Sequence, residues 1–131
     1  MSLDTNSIQV AVVAAIKDAW ICEGRVYDTP SQKTPPECPY IELAGSVAVN
    51  GDDSTGDGVE WSLTLHVWSE ERGQKEVNEV SDLIRAALHR QSFTTSSGID
   101  CLCWIDAVTN LKAADGEGWQ AVIRLRIVAT T

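Results

Sequence analysis

The chain has 131 residues, of which 44% are hydrophobic and 22% charged, and its formal net charge is −9. A chain of this length suits one domain, spanning 1–131, with a single core, and no apolar run approaches the roughly 20 residues that cross a bilayer. So acidic a balance excludes a protein that grips nucleic-acid phosphates through a basic face.

The first periodic segment follows Thr5, Asn6 and Ser7, any of which can cap a helix. Ile8, Val12, Ala15, Ile16 and Ala19 recur at three- and four-residue steps and form its apolar stripe. Residues 8–16 are apolar-rich but lack a basic leader and are flanked by Asp4 and Asp18. They read as a helix of a protein made in the cytoplasm, not as a signal peptide. Gly24 is a natural stop after Trp20-Ile21-Cys22-Glu23. Pro30, Pro35, Pro36 and Pro39 make 29–39 an extended, irregular connection.

Ile41, Leu43, Val47 and Val49 then alternate as a first strand. The segment 50–58, with Asp52, Asp53 and Asp57, is a polar hairpin tip too long for a two-residue turn. In the second strand Val59, Trp61, Leu63, Leu65 and Val67 alternate with Glu60, Ser62, Thr64, His66 and Trp68. Past the charged corner 70–75, Val77, Val80, Leu83, Ile84, Ala87 and Leu88 mark the stripe of a second helix. Residues 99–111 and 119–129 read as third and fourth strands, with a turn at 115–118.

These elements predict an α+β domain in which two helices pack on one face of a mostly antiparallel four-stranded sheet, in the order α-ββ-α-ββ. A strand that leads through one packed helix to the next strand returns parallel to itself. The second and third strands should therefore run the same way, with the two acidic hairpin tips at opposite ends of the domain. The third strand is apolar on both sides: Cys101, Cys103 and Ile105 face one way, and Leu102, Trp104 and Val108 the other. Two accounts stay open. Either a bulge flips the register midway, or the second face, with Trp68, Trp104 and Val122, is a subunit interface.

The chemistry of catalysis and metal binding is sought in vain. Cys101 and Cys103 stand two apart in a strand, on one face, which is not the turn spacing of a zinc site. With Cys22 and Cys38 they read as small buried hydrophobes, a structural zinc being the alternative. His66 and His89 lack a nucleophile and an orienting acid, and His89 suits a helix C-terminus as a cation. Asp53, Thr55, Asp57 and Gly58 begin like a calcium loop, but Thr64 stands where the bidentate glutamate belongs. No Gly-Lys-Ser/Thr follows Gly51, Gly56 and Gly58. The carboxylate pairs Asp52–Asp53 and Glu70–Glu71 are solvated loop charge. No catalytic, cofactor-binding or metal residue is expected, and no enzyme.

Several fragments carry a family resemblance. His66-Val67-Trp68-Ser69, a charged turn with Gly73 and Lys75-Glu76, and the Leu83-Ile84-Arg85-Ala86-Ala87-Leu88 helix stand in one order. Upstream come Gly24-Arg25-Val26-Tyr27-Asp28 and Pro39-Tyr40-Ile41, and near the end Arg124-Leu125-Arg126. From Trp20 onward the chain resembles the tail-completion, or tail-terminator, family of long-tailed phages, prophages and gene transfer agents. The resemblance implies a structural virion protein at the head-proximal end of the tail, joining the tail tube to the head connector. It implies as partners further copies in a ring, a hexamer on the tail, together with the major tail tube protein and neck proteins. DNA would only pass through the lumen, and no membrane is involved. Asp52, Asp53 and Asp57 would then line the lumen or meet an axial partner. Departures from the family pattern lie at 29–38 and 50–58. Another neck or head-connector protein, and an unrelated small α+β binding domain or small enzyme, are the alternative readings.

Overall fold

The computed structural model describes residues 5–28, 34, 36–50, 58–114 and 116–130. Helix α1 (Thr5–Asp18) leads through a 3₁₀ turn (Ile21–Gly24) into the short strand β1 (Val26–Tyr27). Strands β2 (Tyr40–Asn50) and β3 (Gly58–Ser69), helix α2 (Lys75–Leu88), and strands β4 (Gln91–Thr94), β5 (Asp100–Lys112) and β6 (Trp119–Thr130) follow. All six strands form one sheet in the order β1-β2-β3-β6-β5-β4. Among the described residues only β1 and β2 pair in parallel; the other pairs are antiparallel.

The fold is therefore mostly β, with a mixed six-stranded sheet and two helices, and not the four-stranded α+β sheet in the order α-ββ-α-ββ that periodicity suggested. The additions are β1 and β4, which span two and four residues and are too short to show a period. The proline-rich connection between Tyr27 and Tyr40 is about a dozen residues, the length a parallel return needs. Because β6 is antiparallel to both β3 and β5, the latter two run the same way, as the crossover through α2 requires. The inner ends of the two hairpins, Asn50/Gly58 and Lys112/Trp119, consequently lie at opposite ends of the sheet.

One core holds both helices against the sheet. Ile8, Val12 and Ile16 of α1 and Val77, Val80, Ile84 and Leu88 of α2 join Leu65, Val67, Cys103, Ile123, Leu125 and Ile127. Leu83, expected in this seam, is instead 54% exposed. The buried arc of α2 is centred on Val77, Val80, Ser81, Ile84 and Leu88, and Leu83 lies outside it. Helix α1 stops at Asp18, short of Gly24, because Trp20, Cys22 and Glu23 all adopt left-handed φ values of 58°, 52° and 53°. Ala19, expected in the helical stripe, is exposed beyond the helix end.

Candidate functional site

The sheet face turned away from the helices is the surface that no element covers among the described residues. Its geometry is set by two bulges. In β2 the register slips between Leu43 and Gly45, and in β5 between Ile105 and Ala107. Each inserts one residue, Ala44 or Asp106, and reverses which face the following residues occupy.

The reversal corrects two expectations. Ile41 and Leu43 are buried, but Val47 and Val49 pair with Ser62 and Glu60 on the outer face and are 62% and 56% exposed. Val108, expected beside Leu102 and Trp104, instead pairs with Ile123, a core residue of the helix side. Asn110 follows it to that side and donates from Nδ2 to Gln74 and to Asn78 of α2, at 3.0 and 2.7 Å. The bulge and the doubly apolar strand thus coexist, since Leu102 and Trp104 still lie on the outer face, opposite Val128 and Arg126.

At the end near the β5–β6 turn, the outer face carries an aromatic cluster. Trp68 stacks on Tyr40 at 6.5 Å, and Tyr40 meets Tyr27 edge-on at 6.1 Å. Trp68 Nε1–H donates to Glu42 Oε1 at 3.2 Å, and the same oxygen lies 3.4 Å from His66 Nδ1. The family-like segment around Arg25 supports this corner. Arg25 Nε donates to the Pro39 carbonyl at 3.1 Å, its own carbonyl accepts from Ile41 N–H, and Val26 pairs with Ile41. An open cleft of about 670 Å³ follows, lined by Pro36, Tyr40, Trp68, Glu70 and Glu117 among others.

Towards the other end, the Arg126 guanidinium sits 4.8 Å from the Trp104 ring and bonds Asp106 through Nε at 3.2 Å. A cation over an indole at such a site contributes roughly 0.5–1 kcal/mol. Glu60 lies 3.9 Å from the same nitrogen. Glu60, Asp106 and Arg126, together with Thr64 and Arg124, line a shallow trough of about 690 Å³.

The three residues expected at an interface thus share the outer face, all half-buried, but not one patch. Trp68 pairs with Gln120 and Val122 with His66, so these two are close neighbours. Trp104 pairs with Arg126, six residues farther along β6, about 20 Å away at the rise of a strand. Each tryptophan also has a partner within the chain, which the sequence did not disclose. Asp52, Asp53 and Asp57 lie outside the described residues.

Among the described residues no two titratable groups resemble a prepared catalytic pair. Burial pushes the thiols up, Cys22, Cys38 and Cys101 to about 11 and Cys103 to about 12. Cys101 and Cys103 both face the core. Among the described residues no group of three or more His, Cys, Asp and Glu side chains could hold a metal. His89 is the C-cap residue of α2, its backbone N–H donating to the Arg85 carbonyl. Its Nδ1 accepts the Ile105 N–H at 3.0 Å, at the β5 bulge. Partial burial and the charges of Arg85 and Arg90 lower its pKa, with Asp106 opposing.

Comparisons with known proteins agree with this architecture. A family model described as tail completion protein gp17 matches residues 7–130. A chain in the solved structure of the virion of a native gene transfer agent particle superposes with a TM-score of 0.81 at 16% identity, over 97% of each chain. At that identity the likeness is one of fold. No curated protein matches the sequence significantly.

Proposed function

Because the chain belongs to the tail completion protein gp17 family, and is a structural component of the virion tail, we propose that it completes the head-proximal end of a tail tube and joins it to the head connector. The match across 7–130 carries this reading, because it takes in α2, every strand of the sheet and all of α1 but its first two residues. The fold it shares with a chain of a gene transfer agent particle supports assembly in a particle of that kind. The work is mechanical: copies form a closed ring, six-fold on the tail, that bridges the major tail tube protein and the neck proteins. Neither catalysis nor a cofactor is needed.

The outer sheet face suits such work. It mixes apolar side chains (Trp68, Val122, Trp104, Val47) with polar ones, the composition of surfaces that are covered on assembly. Trp104 meets the neighbouring copy, while Trp68 and Val122 meet that copy or an axial partner. The acidic residues Asp52, Asp53 and Asp57 face the lumen or an axial partner, because burying unpaired carboxylates between subunits is costly. An acidic lumen repels phosphates and lets DNA slide through.

The test is electron microscopy of particles made without this protein. The expected result is filled heads and separate tails, which join when purified protein is added. Joined heads and tails in its absence would overturn the reading. Tails fully capped but heads leaking DNA would move the protein to the portal side of the neck.

A further inference from the structure

The cleft at the β5–β6 end of the outer face has three kinds of lining. Part of it is aromatic: the Tyr40 and Trp68 rings stack at 6.5 Å, with 28° between their planes. Pro36 and Ala113 add apolar sides, and the exposed carboxylates of Glu70 and Glu117 complete it. No lysine or arginine among the described residues lines it. Negative charge continues beyond it. A smaller neighbouring cleft shares Cys38 and Glu70 and adds Glu71 and Glu76, against Arg72. Burial first, and then Glu70, push the Cys38 thiol up to about 11, so these carboxylates are felt inside the cleft.

The same chain shows what such surroundings hold. At Trp104, on the same face, the Arg126 guanidinium lies 4.8 Å from the ring centroid while its Nε bonds Asp106. Trp68 has carboxylates nearby as well, but no lysine or arginine among the described residues lies over its ring. His66 meets it only edge-on, at 6.0 Å. Aromatic faces attract cations, and apolar walls suit the methylene stem of a long basic side chain. A guanidinium fits better than an ammonium: it is weakly hydrated, lies flat on a ring and meets a carboxylate with a fork of donors. A second copy is the poorer occupant, because each copy carries a net charge of −9.

We propose that this cleft receives an arginine side chain of the protein stacked axially on this end of the ring, its guanidinium over Trp68 and paired with Glu70 and Glu117. The proposal rests on the place in the tail proposed above, which supplies the axial partner, and it commits Trp68 to that partner. One exposed ion pair contributes little, so a single contact sets register and specificity more than affinity. Repetition around a ring multiplies it.

The test has two arms. In the first, purified protein is titrated with N-acetyl-arginine amide while its indole N–H signals are followed by NMR. The Trp68 signal is identified by its loss in Trp68→Phe. That signal should shift saturably, and N-acetyl-citrulline amide should leave it in place. E70Q/E117Q, altered only at exposed positions, should keep the wild-type circular dichroism and bind roughly tenfold more weakly, as loss of two exposed ion pairs implies. No shift, or an equal shift with the citrulline amide, would overturn the cleft as a cation site. In the second arm, purified E70K/E117K is added to separate heads and tails and should fail to join them where wild type succeeds. Joining at the wild-type rate would overturn the axial placing of the cleft and leave the functional reading standing. Failure of wild type itself, with the titration positive, would sink that reading and the axial partner with it.

Discussion

Gly45 of β2 and Ala107 of β5 lie at one level of the sheet, each just beyond a bulge, linked across it through Thr64 and Arg124. Two bulges in line bend both flanking strands at the same height. The central pair β3–β6 keeps an unbroken register over its whole length. The arrangement gives a regular spine with re-aimed flanks, and it is why Val47, Val49 and Leu111 stand exposed on the outer face. It also places the trough lined by Arg124 and Arg126 between the bulges.

The helix–sheet seam is tested by neighbouring residues of α2. Ile84 is fully buried, so Ile84→Asp places an unpaired carboxylate in the core and should unfold the domain, while Ile84→Ala should cost about 2–5 kcal/mol. Leu83→Asp, at an exposed position, should stay within about 0.5 kcal/mol of wild type. Thermal denaturation followed by circular dichroism separates them. Equal losses would contradict the orientation of α2.

Two glycines should behave oppositely. A Cβ on Gly118 would collide with the backbone carbonyl of Ser69, where the β5–β6 turn closes on the end of β3. Neither backbone can yield cheaply, so Gly118→Ala should lower stability by about 1–3 kcal/mol. At Gly45 a Cβ meets nothing within 4 Å, and Gly45→Ala should be neutral or slightly stabilising. Urea midpoints of the two variants give the comparison.

His89 makes stability depend on pH. Its pKa is lowered from the ordinary 6.5 by partial burial and by Arg85 and Arg90. A group with a depressed folded pKa protonates first in the unfolded chain, so its contribution is whole above about pH 6.5 and falls as the solution is acidified below that value. Melting temperatures measured from about pH 7.5 to about pH 5.5 should fall more for wild type than for His89→Gln. An NMR titration should place the His89 midpoint below 6.5; a midpoint above it would contradict the hydrogen bond from Ile105.

The cysteines should be inert. With Cys101 pushed up to about 11 and Cys103 to about 12, chiefly by burial, neither supplies thiolate at neutral pH. Brief alkylation of the folded protein followed by mass spectrometry should leave both unmodified until denaturant is added. Stoichiometric zinc in protein purified without chelator, lost on replacing the pair, would contradict their place in the core.

The long central strands were legible because Trp61, Leu63, Leu65 and Val67, like Ile123, Leu125 and Ile127, alternate without interruption and end in the core. The bulges were harder to see. Leu43, Val47 and Val49 keep odd numbers across Ala44, so one inserted residue turned the strand over while leaving the apparent period intact. Gly45, an isolated glycine within a strand, was the available signal. Strands β1 and β4 had no period to show, and β1 exists through the fold of its neighbours, with Arg25 tying it to Pro39 and Ile41. At the outer face Trp68, Val122 and Trp104 were found by their apolar character. Their partners Glu42, His66 and Arg126 were not, because strand pairing between β2, β3, β5 and β6 brings them together.

The central claim is a place in the particle, and the most direct measurement is the position of the protein in intact particles, by a gold label on a C-terminal tag or by density in cryo-electron micrographs. The account predicts a single ring at the junction of head and tail, at the head-proximal end of the tube. Label at the distal tip, along the whole tail, or on heads that carry no tail would contradict it.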